Sequence, residues 1–173
     1  MRYLLIVENP GYTPGHREEL LRRIRAALPV ISLRVASTHV EVDVKSDDLA
    51  KAKETVERVI GGKVLEAVDI TFEDVPGGVE TYVRLFNAER FWEAHNALEG
   101  LWRRTKSPTL QGLIMLAAAF VKLQEGSPEK FERLLKEAIY LIEEDVGCIK
   151  IKEVKKLAEK ALLEKRPFKI TCL

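Results

Sequence analysis

Side-chain amides are rare in this chain of 173 residues, which has only five: Asn9, Asn87, Asn96, Gln111 and Gln124. Cysteine is rarer still, and the wide separation of Cys148 and Cys172 excludes the closely spaced pairs typical of a structural zinc site. No apolar run is long enough to span a bilayer, and the run at the N-terminus is too short for a secretory signal. We therefore expect a cytoplasmic protein without a membrane partner.

Scarce amides beside abundant Lys, Arg and Glu are typical of thermophilic proteins. This bears on the two cysteines, for which the sequence allows two states. We expect two buried thiols, because free Cys behaves as a small apolar residue. The alternative is a Cys148–Cys172 disulfide, which the intracellular proteins of hyperthermophiles permit.

Acidic and basic residues nearly cancel, with 28 Lys and Arg against 27 Asp and Glu and a net charge of +1. The chain therefore has no global attraction for nucleic acid. An RNA-binding sheet would also need aromatic side chains on its central strands, and the segment His39–Lys45 has none. The hydrophobic content of 46% excludes wholesale disorder, and the length allows one domain or two small ones.

In the first seventy residues, apolar side chains recur at every second residue in some segments, which is typical of strands, and at helical spacing in others. In His39–Lys45, three valines alternate with Glu41 and Asp43, which predicts that the valines face a core and the two acids face outward. The element order is β-α-β-β-α-β, which predicts a ferredoxin-like domain with two helices on one face of an antiparallel sheet. The strands are Arg2–Glu8, Val30–Ala36, His39–Lys45 and Lys63–Phe72; the helices end near Leu28 and Ile60.

The turn signal Val75-Pro76-Gly77-Gly78 marks a boundary, so we predict domains at 1–75 and 76–173. Apolar residues recur at helical spacing through the second domain, which predicts an all-α bundle of four or five helices. The fold class of the whole chain is therefore α+β. The extended tail Pro167–Leu173 is expected to return to an edge of the N-terminal sheet. The predicted helices are Val79–Asn87, Glu89–Arg104, Thr109–Gln124, Pro128–Glu144 and Ile151–Lys165.

The segment Glu89–Arg104 holds both tryptophans. At about 100° per residue, four of its side chains point in nearly one direction, and further apolar residues widen that surface. More than half of the circumference is apolar, which predicts a central helix packed on several sides. The four are Phe91, His95, Leu98 and Trp102; the others include Ala94, Ala97 and Leu101.

The string FNAERFWEAHNALEGLWR, followed by LQGLIMLAAAF, resembles the small helical domains of domain-of-unknown-function family 309. The resemblance covers about Tyr82–Leu141 and implies a compact helical fold, but the family has no activity to carry over. The chain departs from the family pattern where Asn96 replaces a usual Glu and Lys122 replaces a second His. Matching residues are Glu93, Ala94, His95, Leu98, Glu99, Trp102, Leu110, Gln111, Gly112, Leu113 and Ile114.

The candidate site is the pair His95 and Glu99, one helical turn apart. The expected arrangement is a buried imidazole held by Glu99, Gln111 or a backbone carbonyl, because buried polar groups need partners. A ligand-binding or catalytic pocket and a metal site are the alternatives. A catalytic zinc needs three protein ligands, and the predicted bundle has no second His while Glu93 points to the opposite side of the helix. No metal and no cofactor are therefore predicted.

Two further residues complete the predicted set of Glu93, His95, Glu99, Trp102 and Gln111. Trp102 is a core residue by its type and position. Gln111 starts a strongly apolar helix, so it either hydrogen-bonds across to the Trp-containing helix or faces water.

These patterns favour a non-enzymatic binding or assembly module, acting on an unknown protein partner or small molecule and free to form homo-oligomers. The alternative is a small enzyme or small-molecule binder, hydrolytic in type, with a pocket around His95 and Glu99. The sequence leaves open whether the protein is an enzyme.

Overall fold

The N-terminal part folds as an antiparallel four-stranded sheet with helices, in a computed structural model that describes residues 1–72 and 77–172. The strands pair in the order β2-β3-β1-β4. The elements follow the predicted β-α-β-β-α-β order: β1 Arg2–Glu8, a 3-10 turn Pro14–His16, α1 Arg17–Arg25, β2 Val30–Val35, β3 His39–Lys45, α2 Leu49–Ile60 and β4 Val64–Asp69.

Local signals place the ends of α2. The Asp48 side chain accepts a hydrogen bond of 3.0 Å from the backbone N–H of Lys51, which satisfies one of the free donors of the first turn. Gly61 ends the helix in the left-handed region at φ 85°, a conformation that costs glycine little.

One face of the sheet carries the core of this unit. Leu5, Val7 and the three valines of β3 pack there with the apolar stripes of both helices. Alternation along the strands places every second side chain on this face, as the pattern of β3 predicted. The helix residues in this cluster are Leu20, Leu21, Ile24, Ala52, Val56 and Ile60.

The other face of the sheet carries buried ion pairs. Glu41 and Asp43 are 0% and 1% exposed, so the prediction that they face solvent is wrong. Their charges are matched by arginines of neighbouring strands. Arg34 lies opposite Glu41 with 3.3 Å between Nε and Oε2, and Arg2 donates to both oxygens of Asp43 at 2.9 and 2.6 Å.

The remaining chain is helical in the predicted order: α3 Val79–Asn87, α4 Phe91–Thr105, α5 Pro108–Gln124, α6 Pro128–Leu141 and α7 Ile151–Glu164. Its core is a single cluster with an aromatic centre. The ring centroids of Phe86 and Phe120 each lie 4.9 Å from that of Phe91 and 5.7 Å from each other. The hydroxyl of Tyr82 is buried there and donates a hydrogen bond of 2.6 Å to the carbonyl oxygen of Leu113. No helix of residues 1–72 and 77–172 has the length and apolar content to cross a membrane.

The C-terminal tail lies against the helical unit, so its predicted return to the N-terminal sheet is wrong. The Asn87 side chain exchanges two hydrogen bonds with the backbone of Ile170, at 2.7 and 2.9 Å, and Phe168 joins the aromatic cluster. The backbone of Cys172 pairs with that of Ile149 in an isolated antiparallel β-bridge, and this pairing brings Cys172 next to Cys148. The two cysteines form a disulfide rather than the expected free thiols.

Contacts divide the chain into one unit of Met1–Glu73 with Gln124–Gly126 and a second of Asp74–Leu123 with Ser127–Leu173. The predicted turn at Val75-Pro76 lies outside the described residues.

Candidate functional site

Helix α4 begins with an ion pair. Arg90 donates from Nε and Nη2 to the two carboxylate oxygens of Glu93, at 2.6 and 2.8 Å. Glu93 is only 5% exposed and stands in the first helical turn, where the helix dipole favours a carboxylate. It lies on the opposite side of α4 from His95, so the two residues do not share a site, as the helical spacing predicted.

The two long faces of α4 differ in burial. Phe91, Ala94, Ala97 and Leu98 are buried in the helical core. The opposite face is half-exposed or exposed and spans about 120° of the helix by angular position. We call it the α4 stripe, and it consists of Trp92, His95, Asn96, Glu99, Trp102 and Arg103 of the helix together with Lys106, the left-handed residue that follows α4.

A chain of polar contacts runs along the α4 stripe. His95 Nε2 lies 3.6 Å from Glu99 Oε1, and His95 Nδ1 lies 3.0 Å from Asn96 Oδ1. Arg103 donates to the other oxygen of Glu99 at 2.8 Å. Glu99 therefore links the histidine to an arginine one turn further along the helix.

The His95–Glu99 pair forms as its spacing predicted, but it is not buried. The two side chains are 29% and 33% exposed, so the expected buried imidazole is not what the structure contains. The reason is the rotation of α4 about its axis. The core contacts Ala94 and Ala97 as well as Phe91 and Leu98, and this turns His95 away from the core.

Trp102 lies at the boundary between the buried face of α4 and the α4 stripe. It packs against the helical core and is still partly exposed. The Lys106 ammonium stands 4.4 Å from the centre of its ring, a cation–π contact that keeps a positive charge at this end of the stripe.

Gln111 is exposed at the start of α5. Its exposure corresponds to the second of its two predicted arrangements, a side chain that faces water. Of the predicted set, His95 and Glu99 are therefore in contact, Trp102 lies on the same stripe, and Glu93 and Gln111 lie apart from them.

A cleft of about 270 Å³ lies beside the stripe. Its lining includes Asn96 and Arg104 but neither His95 nor Glu99. The backbone of Gly77 packs closely on α4 at this cleft, because a Cβ at Gly77 would lie 2.1 Å from the carbonyl oxygen of Ala97. The remaining lining residues are Gly78, Ala97, Gly100 and Leu101. Among residues 1–72 and 77–172, no three His, Cys, Asp or Glu side chains are grouped to hold a metal ion.

Sequence reasoning missed Arg103 and Lys106 as members of the stripe. The signal was present, since Glu99–Arg103 and Trp102–Lys106 both have the i, i+4 spacing of helix neighbours.

Residues 79–134 match the model of a family described as Domain of unknown function (DUF309). This range contains α3, α4, α5 and part of α6, and the whole α4 stripe lies within it. The resemblance is thereby confirmed for this part of the chain. No curated protein and no solved structure matches the chain.

Proposed function

We propose that the protein is a non-enzymatic binding module and that the α4 stripe is its docking surface. The observation that carries the proposal is the division of α4 into a buried apolar face and a half-exposed face with two tryptophans. The core is complete without His95, Glu99 and Arg103, because Phe91, Ala94 and Leu98 supply its contacts on this helix.

The composition of the α4 stripe fits a protein-binding surface. Tryptophan and arginine are enriched at interfaces and among the residues whose truncation costs most binding energy. Trp92 and Trp102 stand about three turns apart on the stripe, so a helix laid along α4 contacts both. The occupant is therefore a helix with apolar side chains on one face.

Charge further defines the partner. Arg103 and Lys106 outnumber the single acid Glu99, whose oxygens already contact His95 and Arg103. The Arg103 side chain is 69% exposed and available at the C-terminal end of the stripe. The partner helix therefore carries acidic side chains next to its apolar face, positioned for Arg103 and Lys106.

The experiment combines photo-crosslinking with a measured affinity. A photoreactive amino acid replaces His95 in one variant and Lys160 in another; Lys160 is 68% exposed on α7, away from the stripe. A protein that crosslinks in cells to the variant at position 95 but not to the variant at position 160 is purified. Its affinity for the wild-type chain is then measured. Trp102→Ala should weaken binding by about ten-fold or more.

Tyr140→Ala is the matched control, because it removes an aromatic ring that is 82% exposed on α6. It should leave the affinity unchanged. Equal capture at both positions, or a Trp102→Ala variant that binds like the wild type, would count against the α4 stripe. Circular dichroism confirms that each variant is folded.

The alternative is a small hydrolytic enzyme or small-molecule binder that uses His95 and Glu99. It is supported by the 3.6 Å separation of the pair and by Asn96, which contacts His95 and also lines the cleft. Hydrolysis of p-nitrophenyl acetate or p-nitrophenyl phosphate that disappears in His95→Asn would favour this alternative. A rate equal in wild type and variant would remove it.

We further propose that the protein is a cytoplasmic protein of a thermophile with two domains, 1–75 and 76–173, of which the first is ferredoxin-like. The scarce amides support the thermophilic origin, and the two contact units support the division of the chain.

A further inference from the structure

The two edges of the sheet differ in how their backbone groups are satisfied. At the β2 edge, arginines of α1 cover the outward carbonyls: Arg17 donates to Leu33 at 2.7 Å, and Arg25 donates to Val30 and Ile31 at 3.1 and 3.0 Å. An incoming strand would have to displace these side chains. The β2 edge is therefore closed.

The β4 edge is open over its second half. Ile70 donates to the carbonyl of Arg2, so the backbone groups of residues 66, 68 and 70 face β1 and those of 67 and 69 face outward. Glu57 covers the outward N–H of Val64 at 3.0 Å. In the described chain, the outward groups of Ala67 and Asp69 have no such partner.

Exposed apolar side chains flank this open edge. Leu65 is 60% exposed at the register shift opposite Ile6 and Val7, and Phe72 is 85% exposed just beyond the strand. Natural proteins blunt open edges with charges, prolines or bulges, because an unpaired edge templates another strand. Here the bulge limits the open part to Ala67–Asp69 and leaves it without a covering side chain.

We propose that a second copy of the chain pairs with this edge, β4 to β4 in antiparallel orientation, about a two-fold axis at Val68. Ala67 then faces Asp69 of the second copy on both sides of the axis, which gives four backbone hydrogen bonds. The exposed Leu65 of each copy lies at one end of the paired segment, next to the turn that follows β4 of the other copy. The proposal is independent of the α4 stripe.

Charge and the bulge select this register. An axis at Asp69 would set two aspartates opposite each other, and an axis at Glu66 would do the same with two glutamates; both arrangements are unfavourable. An axis at Ala67 would require Leu65, which lies in the bulge, to pair with Asp69. With the axis at Val68, Glu66 faces Ile70 and Asp69 faces Ala67, so no like charges are opposed.

The test is sedimentation of the full chain over roughly a hundred-fold range of concentration. The wild type should show a reversible monomer–dimer equilibrium. Ala67→Pro should shift it to monomer, because it removes an outward N–H that β1 does not use, and an edge strand tolerates proline at such a position. Circular dichroism establishes that the variant is folded.

A charge exchange tests the register without proline. Ala67→Asp places an aspartate opposite Asp69 at two symmetric positions and should raise the dissociation constant by about ten-fold. Adding Asp69→Lys turns both repulsions into attractions and should restore the affinity. Ile31→Asp on the closed β2 edge is the matched control, since Ile31 is a 39% exposed apolar residue, and it should have no effect.

Trp102→Ala should leave the dimer intact, which separates this proposal from the docking role of α4. A wild type that stays monomeric at every concentration would overturn the proposal. So would a dimer that is insensitive to both Ala67→Pro and Ala67→Asp.

Discussion

The hydroxyl of Tyr82 lies inside the helical unit, where its single hydrogen bond goes to the carbonyl oxygen of Leu113. Burial raises the pKa of Tyr82 well above its ordinary value, because a phenolate would lose its hydration there. The folded state therefore keeps the proton at a pH where the unfolded chain releases it. The contribution of Tyr82 to stability is complete below about pH 10 and declines as the pH rises further.

We predict that Tyr82→Phe flattens this alkaline decline. At neutral pH the variant should lose about 1 kcal/mol of unfolding free energy with the hydrogen bond. Above about pH 10 its unfolding free energy should fall less steeply than that of the wild type. Urea unfolding from about pH 8 to about pH 11 measures both. Tyr140→Phe, at a position 82% exposed, should follow the wild type, and parallel curves for all three proteins would contradict the prediction.

Helices α4 and α5 each contain one glycine in a different environment. A Cβ at Gly112 of α5 would lie 2.7 Å from Cγ1 of Ile142 and 3.1 Å from the carbonyl oxygen of Ala138. A Cβ at Gly100 of α4 would meet only the Arg104 side chain, at 4.0 Å. Close packing therefore requires glycine at Gly112, whereas Gly100 is exposed.

We predict opposite effects for alanine at these two positions. Gly100→Ala should raise the unfolding free energy by about 0.5–1 kcal/mol, because alanine loses less backbone entropy in a helix. Gly112→Ala has the same gain but forces overpacking that costs about 1–3 kcal/mol, so the net change should be destabilising. Thermal unfolding of the two variants side by side measures the difference. Equal shifts of the two midpoints would show that the contact at Gly112 relaxes freely.

At the scale of the whole chain, the disulfide ties the tail to the segment before α7. Cys148 and Cys172 are 24 residues apart, and closing a loop of this length stabilises a fold by about 3 kcal/mol in the chain-entropy account. The tail holds Phe168 in the aromatic cluster and Ile170 on Asn87, so loosening it weakens the core of the helical unit.

Reduction should therefore lower the unfolding midpoint of the helical unit, which has about a hundred residues, by roughly 12–24 °C. Calorimetry with and without a phosphine reductant measures the shift. The variant with both cysteines replaced by serine should unfold at the lower temperature and should not respond to reductant. Two titratable thiols in the unreduced wild type would contradict the disulfide.

The sequence by itself determined the order of the elements but not all of their limits: β4 ends at Asp69 rather than Phe72, and α6 at Leu141 rather than Glu144. Helix ends depend on side chains within a few residues, as with Asp48 and Gly61 at the ends of α2. The alternation of β3 likewise fixed which side chains share a face. The contact between His95 and Glu99 followed from one helical turn, and residues 79–134 carry the family pattern without reference to the fold.

Tertiary structure alone decided burial and long-range pairing. Alternation separated Glu41 and Asp43 from the valines, but their burial depends on Arg34 and Arg2, the latter 41 residues from Asp43. The rotation of α4 that leaves His95 half-exposed depends on which side chains of other helices fill the core. The tail joined Asn87, 83 residues away, instead of a sheet edge. Burial and pairing depend on the free energies of competing contacts between residues that are far apart in the sequence. A local sequence pattern carries no information about those contacts.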